Sequence, residues 1–337
     1  MLAARGASYV LLFLAQAVVV CLLSEAVAQW FGFGRRIEYD SSVAVLWQPR
    51  PTQRVYNNRT NAAVTIDQWG LRPSPSTAEA SERRTTVLAL GDSVTFGYGL
   101  ADDETYPARL QSHLDVVEPG QWRVTNAGVN GYNFFLAKQR LVFLREQGFK
   151  SDLLVIGFCF NESPAWPGEH FSDEEKAAIV RGVGSKNALR RSALFNYATE
   201  VVGPGVFFGV RNALMPRGSE DSLAGVSADA WLARYRGRIA ALFEEARRQE
   251  LPFMVIVWPY RTGIRGPYQE TLLDECAKRD IACLDLNPLV KDPDTSPMFF
   301  DTEHPRADMV QRYMERIGPF FRSNARRLLA NTPKAPR

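Results

Sequence analysis

The chain has 337 residues, of which 46% are apolar and 23% charged. That suffices for one large core, or a core and a small satellite, and it excludes a chain that is disordered throughout. With 40 basic against 37 acidic side chains the formal charge is +3, too small to indicate nucleic acid or another polyanion as partner.

Residues 9–23 read YVLLFLAQAVVVCLL and carry no charge. Residues 7–24 are long enough for a short membrane-spanning anchor, with Phe31 and Phe33 extending it to an aromatic belt. Ala26-Val27-Ala28 also fits the small-residue rule for signal-peptide cleavage, so residues 1–28 are an anchor or a removable signal. A buried core helix is the remaining reading. Arg5 lies before the run and Arg35-Arg36 after it, so charge bias does not set its orientation. Both main readings make the chain extracytoplasmic: periplasmic or at the cell surface if anchored, secreted if cut after Ala28. The membrane is then a partner only if the segment stays.

Residues 29–84 are rich in Pro, Asn, Arg and Thr, with a β-like piece at Ala63-Val64-Thr65-Ile66 and a turn at Asp67 to Gly70. They read as a stalk or small β cap. From Thr85 strands and helices alternate. Thr86 to Leu90 is a short apolar run suited to a buried strand. A helix follows from Thr105 to Leu114, with Pro107 in its first turn. Trp122 to Asn126 is a second strand, and Phe134 to Gln147 a helix stopped by Gly148. Asp152 to Phe158 is a third strand. Residues 164–227 form an insertion, the natural lid or substrate-binding element. Ala228 to Arg248 is a long amphipathic helix, Pro252 to Trp258 a fourth strand, Tyr268 to Arg279 a helix and Ile281 to Leu286 a fifth strand. Pro305 to Ala330 is helical, with an interruption at Gly318-Pro319. This alternation predicts, over residues 85–330, a five-stranded parallel sheet with helices on both faces. Sites in such sheets lie at the carboxyl ends of the strands.

The cysteines are Cys21, Cys159, Cys276 and Cys283. No C-x-x-C spacing occurs and the histidines are scattered, so no structural zinc site is expected. Cys276 and Cys283 either pair in an oxidising compartment or remain two core thiols.

Chemistry gathers at the strand ends. Ser93, in Gly91-Asp92-Ser93, follows the first strand and can expose its hydroxyl at the sheet edge; a capping serine in a tight turn reads the same way. His304, in Asp301-Thr302-Glu303-His304, precedes the last helix. A serine hydroxyl is a weak nucleophile, and an imidazole near neutral pH is the base it needs. Asp301 is spaced to hold Nδ1–H of that imidazole. His113 and His170 fit the base role less well, one lying within a helix and the other after a Pro- and Gly-rich loop. Gly128 follows the second strand, where its bare Cα would let its N–H approach a substrate. Asn161 follows the third, with a side-chain amide to offer. Taken singly, Gly128 is a turn glycine and Asn161 an Asx turn. Four candidates at four strand ends of one sheet argue for a site.

This ordered set resembles the SGNH hydrolases, the GDSL esterase/lipase family, over about residues 85–325. Ser93 resembles the family's first block, Gly128 its second, Asn161 its third, and Asp301 with His304 its closing D-x-x-H. The resemblance implies a flavodoxin-like three-layer α/β/α sandwich and a Ser-His-Asp mechanism that needs no metal or cofactor. It further implies an oxyanion hole made by the N–H groups of Ser93 and Gly128 and the Asn161 amide. Two positions depart from the pattern. Val94 stands for the leucine after the serine, and Cys159-Phe160-Asn161-Glu162 stands for G-x-N-D, with Phe160 able to narrow the cleft.

The expected activity is hydrolysis of an O-acyl ester on a glycan or a lipid, an acetyl group on an envelope glycan being one case. An O-acyltransferase acting on an extracytoplasmic polysaccharide, and a non-catalytic glycan-binding scaffold, are the alternatives. Trp166, Phe171, Trp231 and Tyr260 line the cleft or pack the core.

Overall fold

The computed structural model describes residues 2–31, 33–57, 60–79, 81, 84–159, 161–162, 166–197, 227–290 and 293–331. Phe160, with its expected effect on the cleft, and residues 198–226 of the expected insertion lie outside them.

Helix α1 (Leu2–Trp30) comes first, its side chains from Leu11 to Leu23 exposed. Short strands follow: β1 (Tyr39–Asp40), β2 (Gln48–Pro49), β3 (Gln53–Tyr56), β4 (Ala63–Ile66) and β5 (Arg72–Pro73). β1 pairs with β2 and β3 with β4, both antiparallel. The expected turn at Asp67 is present. Its Oδ1 accepts the N–H groups of Trp69 (2.8 Å) and Leu71 (3.0 Å), and Gly70 takes a φ of 71°.

The main body alternates as expected: β6 (Thr85–Gly91), α2 (Ser93–Phe96), α3 (Tyr106–Val117), β7 (Trp122–Asn126), α4 (Phe134–Glu146) and β8 (Leu153–Phe158). Then come α5 (Asp173–Arg190), α6 (Ala193–Tyr197), α7 (Ala228–Arg248), β9 (Phe253–Val257), α8 (Pro267–Lys278), β10 (Cys283–Asp285) and α9 (Ala307–Ala330). The strands lie in the order β10-β9-β8-β6-β7-β5. Strands β6 to β10 run parallel, with registers such as Ala89↔Val155 and Val155↔Met254.

The sheet therefore has six strands, one more than the sequence suggested. The extra strand, β5, comes from the stretch read as a stalk or cap and runs antiparallel to β7 (Arg72↔Asn126). Pro73 is tolerated there because an edge strand can spare a donor.

Helices cover both faces, and successive residues of one strand feed opposite cores. Leu88 and Leu90 of β6 pack with Leu141 and Leu144 of α4 and Ile239 and Phe243 of α7. Val87 and Ala89 pack with Leu110 and Leu114 of α3 and Tyr313 and Ile317 of α9. Ile37, Leu46, Val55, Val64 and Ile66 join the first of these cores, so much of the expected stalk or cap is packed into the body.

Helix α9 runs unbroken through Pro319, where an interruption was expected. Val310, Tyr313, Ile317, Phe321 and Ala325 form a buried stripe across the proline. Burying a stripe of that size outweighs the roughly 3 kcal/mol a helical proline costs. All four cysteines are free thiols, Cys276 and Cys283 included.

Candidate active site

The chain leaves β6 for β7 on one side and later places β8 on the other, so the carboxyl end of β6 is the topological switch point of the sheet. Gly91 ends that strand. A Cβ there would collide with Gly157 O and Thr95 Oγ1, so the turn into α2 closes only on glycine. Asp92 caps α2: its Oδ1 accepts Val94 N–H at 2.9 Å. Its Oδ2 accepts Cys159 N–H at 2.7 Å and ties the turn to the end of β8. Asp92 is fully buried, and loss of solvation pushes its carboxyl up to about 6 despite these two bonds.

Ser93 opens α2. Its Oγ lies 2.8 Å from Nε2 of His304, and Nδ1 of that ring lies 2.8 Å from Asp301 Oδ1. Nδ1–H donating to Asp301 leaves Nε2 free to accept the serine hydroxyl. Burial alone would raise the Asp301 carboxyl. The bond and charge of His304, with the backbone N–H groups of His304 and Glu303, outweigh it and hold Asp301 well below the usual carboxylate range. The Asp301–His304 loop is closed by Phe300 N–H donating to His304 O at 2.8 Å. The Tyr98 ring covers the imidazole, with centroids 4.6 Å apart.

Asn161 stands beyond β8 and is 8% exposed. Its Nδ2 donates to Tyr132 O at 2.9 Å, which sets the amide beside the Gly131–Tyr132 backbone. Gly128 N–H is already engaged, donating to Asn126 Oδ1 at 2.9 Å. A Cβ on Gly128 would strike the backbone of Thr95 and Phe96, so this glycine is required for α2 to pack on the loop after β7. Gly131 differs: its φ is 79°. Among the described residues, the N–H groups of Ser93 and Gly131 have no hydrogen-bond acceptor.

The other candidates separate. His113 packs against Gly318, between α3 and α9. His170 lies beside Arg238 and the Trp231 ring. Phe171 and Trp231 are core residues, whereas Trp166 is half-buried and faces Gly131. Tyr260 is half-buried near Cys159 and Glu303, its phenol raised by burial and then by these neighbours. Val94 is buried in the α3–α9 core.

Two buried charges escaped the reading of the sequence. Arg72, on β5, donates to the carbonyls of Phe96 (2.9 Å), Gly97 (3.1 Å) and Leu100 (2.7 Å) and to Asp102 (2.9 Å). It thus holds the loop that follows the Ser93 turn. An arginine between Leu71 and Pro73 carries no motif, so no local signal marked it. Glu162, next to Asn161, stands where the family pattern has an aspartate and is one methylene longer. It accepts Phe134 N–H at the start of α4 (2.7 Å) and pairs with Arg238 of α7 at 2.9 Å. Both side chains are 3% exposed, and burial pushes the Glu162 carboxyl up to about 7.

Residues 89–312 match the model of the GDSL-like lipase/acylhydrolase family. Among solved structures, the chain is 22% identical to AlinE4, an SGNH-hydrolase family esterase, covering 73% of this chain and 98% of that one with a TM-score of 0.37. It is 18% identical to TesA over 71% of this chain and 99% of that one, with a TM-score of 0.43. It is 14% identical to the psychrotrophic esterase EstA from Pseudoalteromonas sp., over 73% and 100%, with a TM-score of 0.39. A search of the curated proteins finds no match. The family match spans more than half of the chain, and the protein belongs to the GDSL-like lipase/acylhydrolase family as a hydrolase acting on ester bonds.

Proposed function

We propose that the protein is a serine esterase that removes an O-acyl group outside the cytoplasm through an acyl-enzyme on Ser93. The observation that carries this reading is the hydrogen-bonded line from Ser93 Oγ through His304 to Asp301, 2.8 Å at each step. His304 Nε2 takes the Ser93 proton as Oγ attacks the ester carbonyl carbon. Asp301 holds Nδ1–H and stabilises the imidazolium. His304 then protonates the leaving alcohol, and a water deprotonated by the same ring releases the acid from Ser93.

The oxyanion falls to the Ser93 N–H, the Asn161 amide and a glycine N–H. That glycine is Gly131 in our reading. Gly128, the first candidate, already spends its N–H on Asn126, while Gly131 adjoins the backbone that Asn161 grips. A Cβ on Gly131 would lie 3.2 Å from the Trp166 ring and 3.4 Å from the Trp47 ring. Indole rings beside Gly131 can pack on the apolar C–H face of a sugar ring, in keeping with an acetylated sugar of an envelope glycan.

The test is labelling with a fluorophosphonate probe alongside hydrolysis of p-nitrophenyl acetate. The native chain is expected to be labelled on Ser93, and Ser93→Ala to lose both label and turnover while melting at an unchanged temperature. Turnover that survives in Ser93→Ala would overturn the assignment.

A further inference from the structure

Leu11–Trp30 is the one helix among the described residues long and apolar enough to cross a membrane, with a mean hydropathy of 2.2. Removal after Ala28 and retention are its two possible fates, and Glu25 distinguishes them. Glu25 Oε2 accepts the Ser192 hydroxyl (2.8 Å) and Leu194 N–H (2.9 Å), and its Oε1 accepts Ala193 N–H (2.7 Å). These groups open α6, where helix donors have no intrahelical partner. Ala28, after which a signal peptidase would cut, is helical and only 6% exposed. Its carbonyl accepts Phe33 N–H at 3.0 Å. Asn196 Nδ2 donates to Gly34 O at 3.0 Å, and the Phe33 ring meets Tyr197 edge-on at 4.9 Å.

No slack follows. Arg36 N–H donates to Arg190 O at 2.9 Å. Tyr39 and Asn187 exchange two bonds, of 3.0 and 2.7 Å. The last turns of α1 are thus built into the folded body, and cleavage after Ala28 would strip Glu25 from the start of α6. The rest of the helix has the opposite character. Residues 11–23 are exposed and, Gln16 aside, apolar; past Glu25, Trp30 at the helix end is 88% exposed and Phe31 just after it 73%. Water does not support an apolar surface of that extent, whereas lipid does. Before Glu25, residues 7–24 are helical and uncharged, and eighteen helical residues span about 27 Å, close to the thickness of a bilayer core. Trp30 and Phe31 fall where interfacial aromatics belong.

We infer that α1 is retained as a membrane anchor and that Glu25 locks the hydrolase body onto its end, which confines catalysis to esters carried close to a bilayer. This rests on the extracytoplasmic reading proposed above and not on the roles given to the catalytic residues. A compact body of about 300 residues measures about 50 Å across. With no loose linker, its substrate ester must come within about that distance of the lipid. A membrane-bound carrier, such as a lipid-linked or surface-attached glycan, meets that condition, as does an ester small enough to diffuse to the site; an ester fixed to a matrix farther from the membrane does not.

The test uses the full chain expressed in an exporting bacterial host. The intact mass is expected to include the residues before Ala28, and the protein to stay in the membrane pellet through alkaline carbonate and leave it in detergent. A mature chain beginning at Gln29, or release by carbonate, would overturn the inference. In detergent, the amides of Ala193 and Leu194 are expected to exchange at least tenfold more slowly in the native chain than in Glu25→Ala. Equal exchange would refute the lock. Should Glu25→Ala fold poorly, Glu25→Gln serves, with a smaller loss of protection expected. Hydrolysis of p-nitrophenyl acetate by Glu25→Ala is expected to stay within twofold of native. Failure of the catalytic reading would instead silence every variant, native chain included, so the two failures are distinguishable.

Discussion

Asp92 and Cys159 are joined across the switch point, the Asp92 carboxylate accepting the Cys159 N–H at 2.7 Å while its other oxygen caps α2 through Val94 at 2.9 Å. One buried side chain thereby connects the Ser93 turn to the end of β8 and, two residues on, to Asn161. The Asp of Gly91-Asp92-Ser93 is a structural member of the site, and its burial has a thermodynamic signature.

Burial raises the folded-state carboxyl of Asp92 to about 6 from an ordinary value of 3.8. The native state therefore holds this proton to higher pH than the unfolded chain does. The stabilisation tied to it is complete below the unfolded value and is lost as pH rises through about 6. The loss is on the order of 3 kcal/mol. Asp92→Asn is expected to remove that part of the decline between pH 4 and pH 7. It also leaves one of two backbone N–H groups without an acceptor, and turnover is expected to fall about tenfold through looser placement of Ser93. Urea unfolding at several pH values checks this; an unchanged slope would refute it.

Asp301 is expected to matter for turnover far more than for folding. Asp301→Asn keeps the shape but no longer favours the Nδ1–H tautomer of His304, and a fall in kcat on the order of 10^4-fold is expected. KM is expected to change little. The native Asp301 carboxyl is held low, so its contribution to stability is present above the ordinary value and is lost only as pH drops below it. Steady-state kinetics with an unfolding control at pH 7 separates the two effects.

The two glycines after β7 are expected to fail differently. Gly128→Ala pushes a methyl into the backbone of α2, so the loss is in folding, by about 1–3 kcal/mol. Gly131→Ala meets only indole rings at 3.2 and 3.4 Å but must hold a φ of 79°. Its expected loss is in kcat, about 100-fold, from a displaced oxyanion donor. Thermal melts paired with kcat values decide the matter. The opposite pattern would return the donor role to Gly128.

Glu162 and Arg238 form a buried pair that joins the start of α4 to α7 beside Asn161. Arg238→Met leaves an uncompensated buried carboxylate, and a loss of about 3–5 kcal/mol is expected. Adding Glu162→Gln is expected to restore a good part of it. Because burial raises the Glu162 carboxyl toward neutrality, the Arg238→Met deficit is expected to be greater at pH 8 than at pH 5. Urea unfolding of the two variants at both pH values measures this.

The layered architecture was readable from the chain because it rests on local periodicity. Strands buried on both faces read as apolar runs, as in Val87-Leu88-Ala89-Leu90, and the helices between them carry their own stripes and caps. Ala228–Arg248 and Trp122–Asn126 match the expected limits residue for residue. Ser93, Asn161, Asp301 and His304 could be selected because a parallel sheet brings its carboxyl ends to one edge, so position along the chain already implied proximity.

What the sequence by itself determined is the alternation and the five parallel strands of the sheet, because these follow from spacings within single elements, and from them the side chains proposed to react. The tertiary structure alone decided how they are held. Arg72 braces the Ser93 loop from a strand that reads as part of a stalk, Glu162 meets an arginine 76 positions away, and Glu25 caps a helix 168 positions downstream. It also showed Gly128 N–H engaged by Asn126 and carried α9 straight through Pro319. Each of these outcomes depends on the free energy of burying a particular group against residues distant in sequence, and no local pattern encodes that.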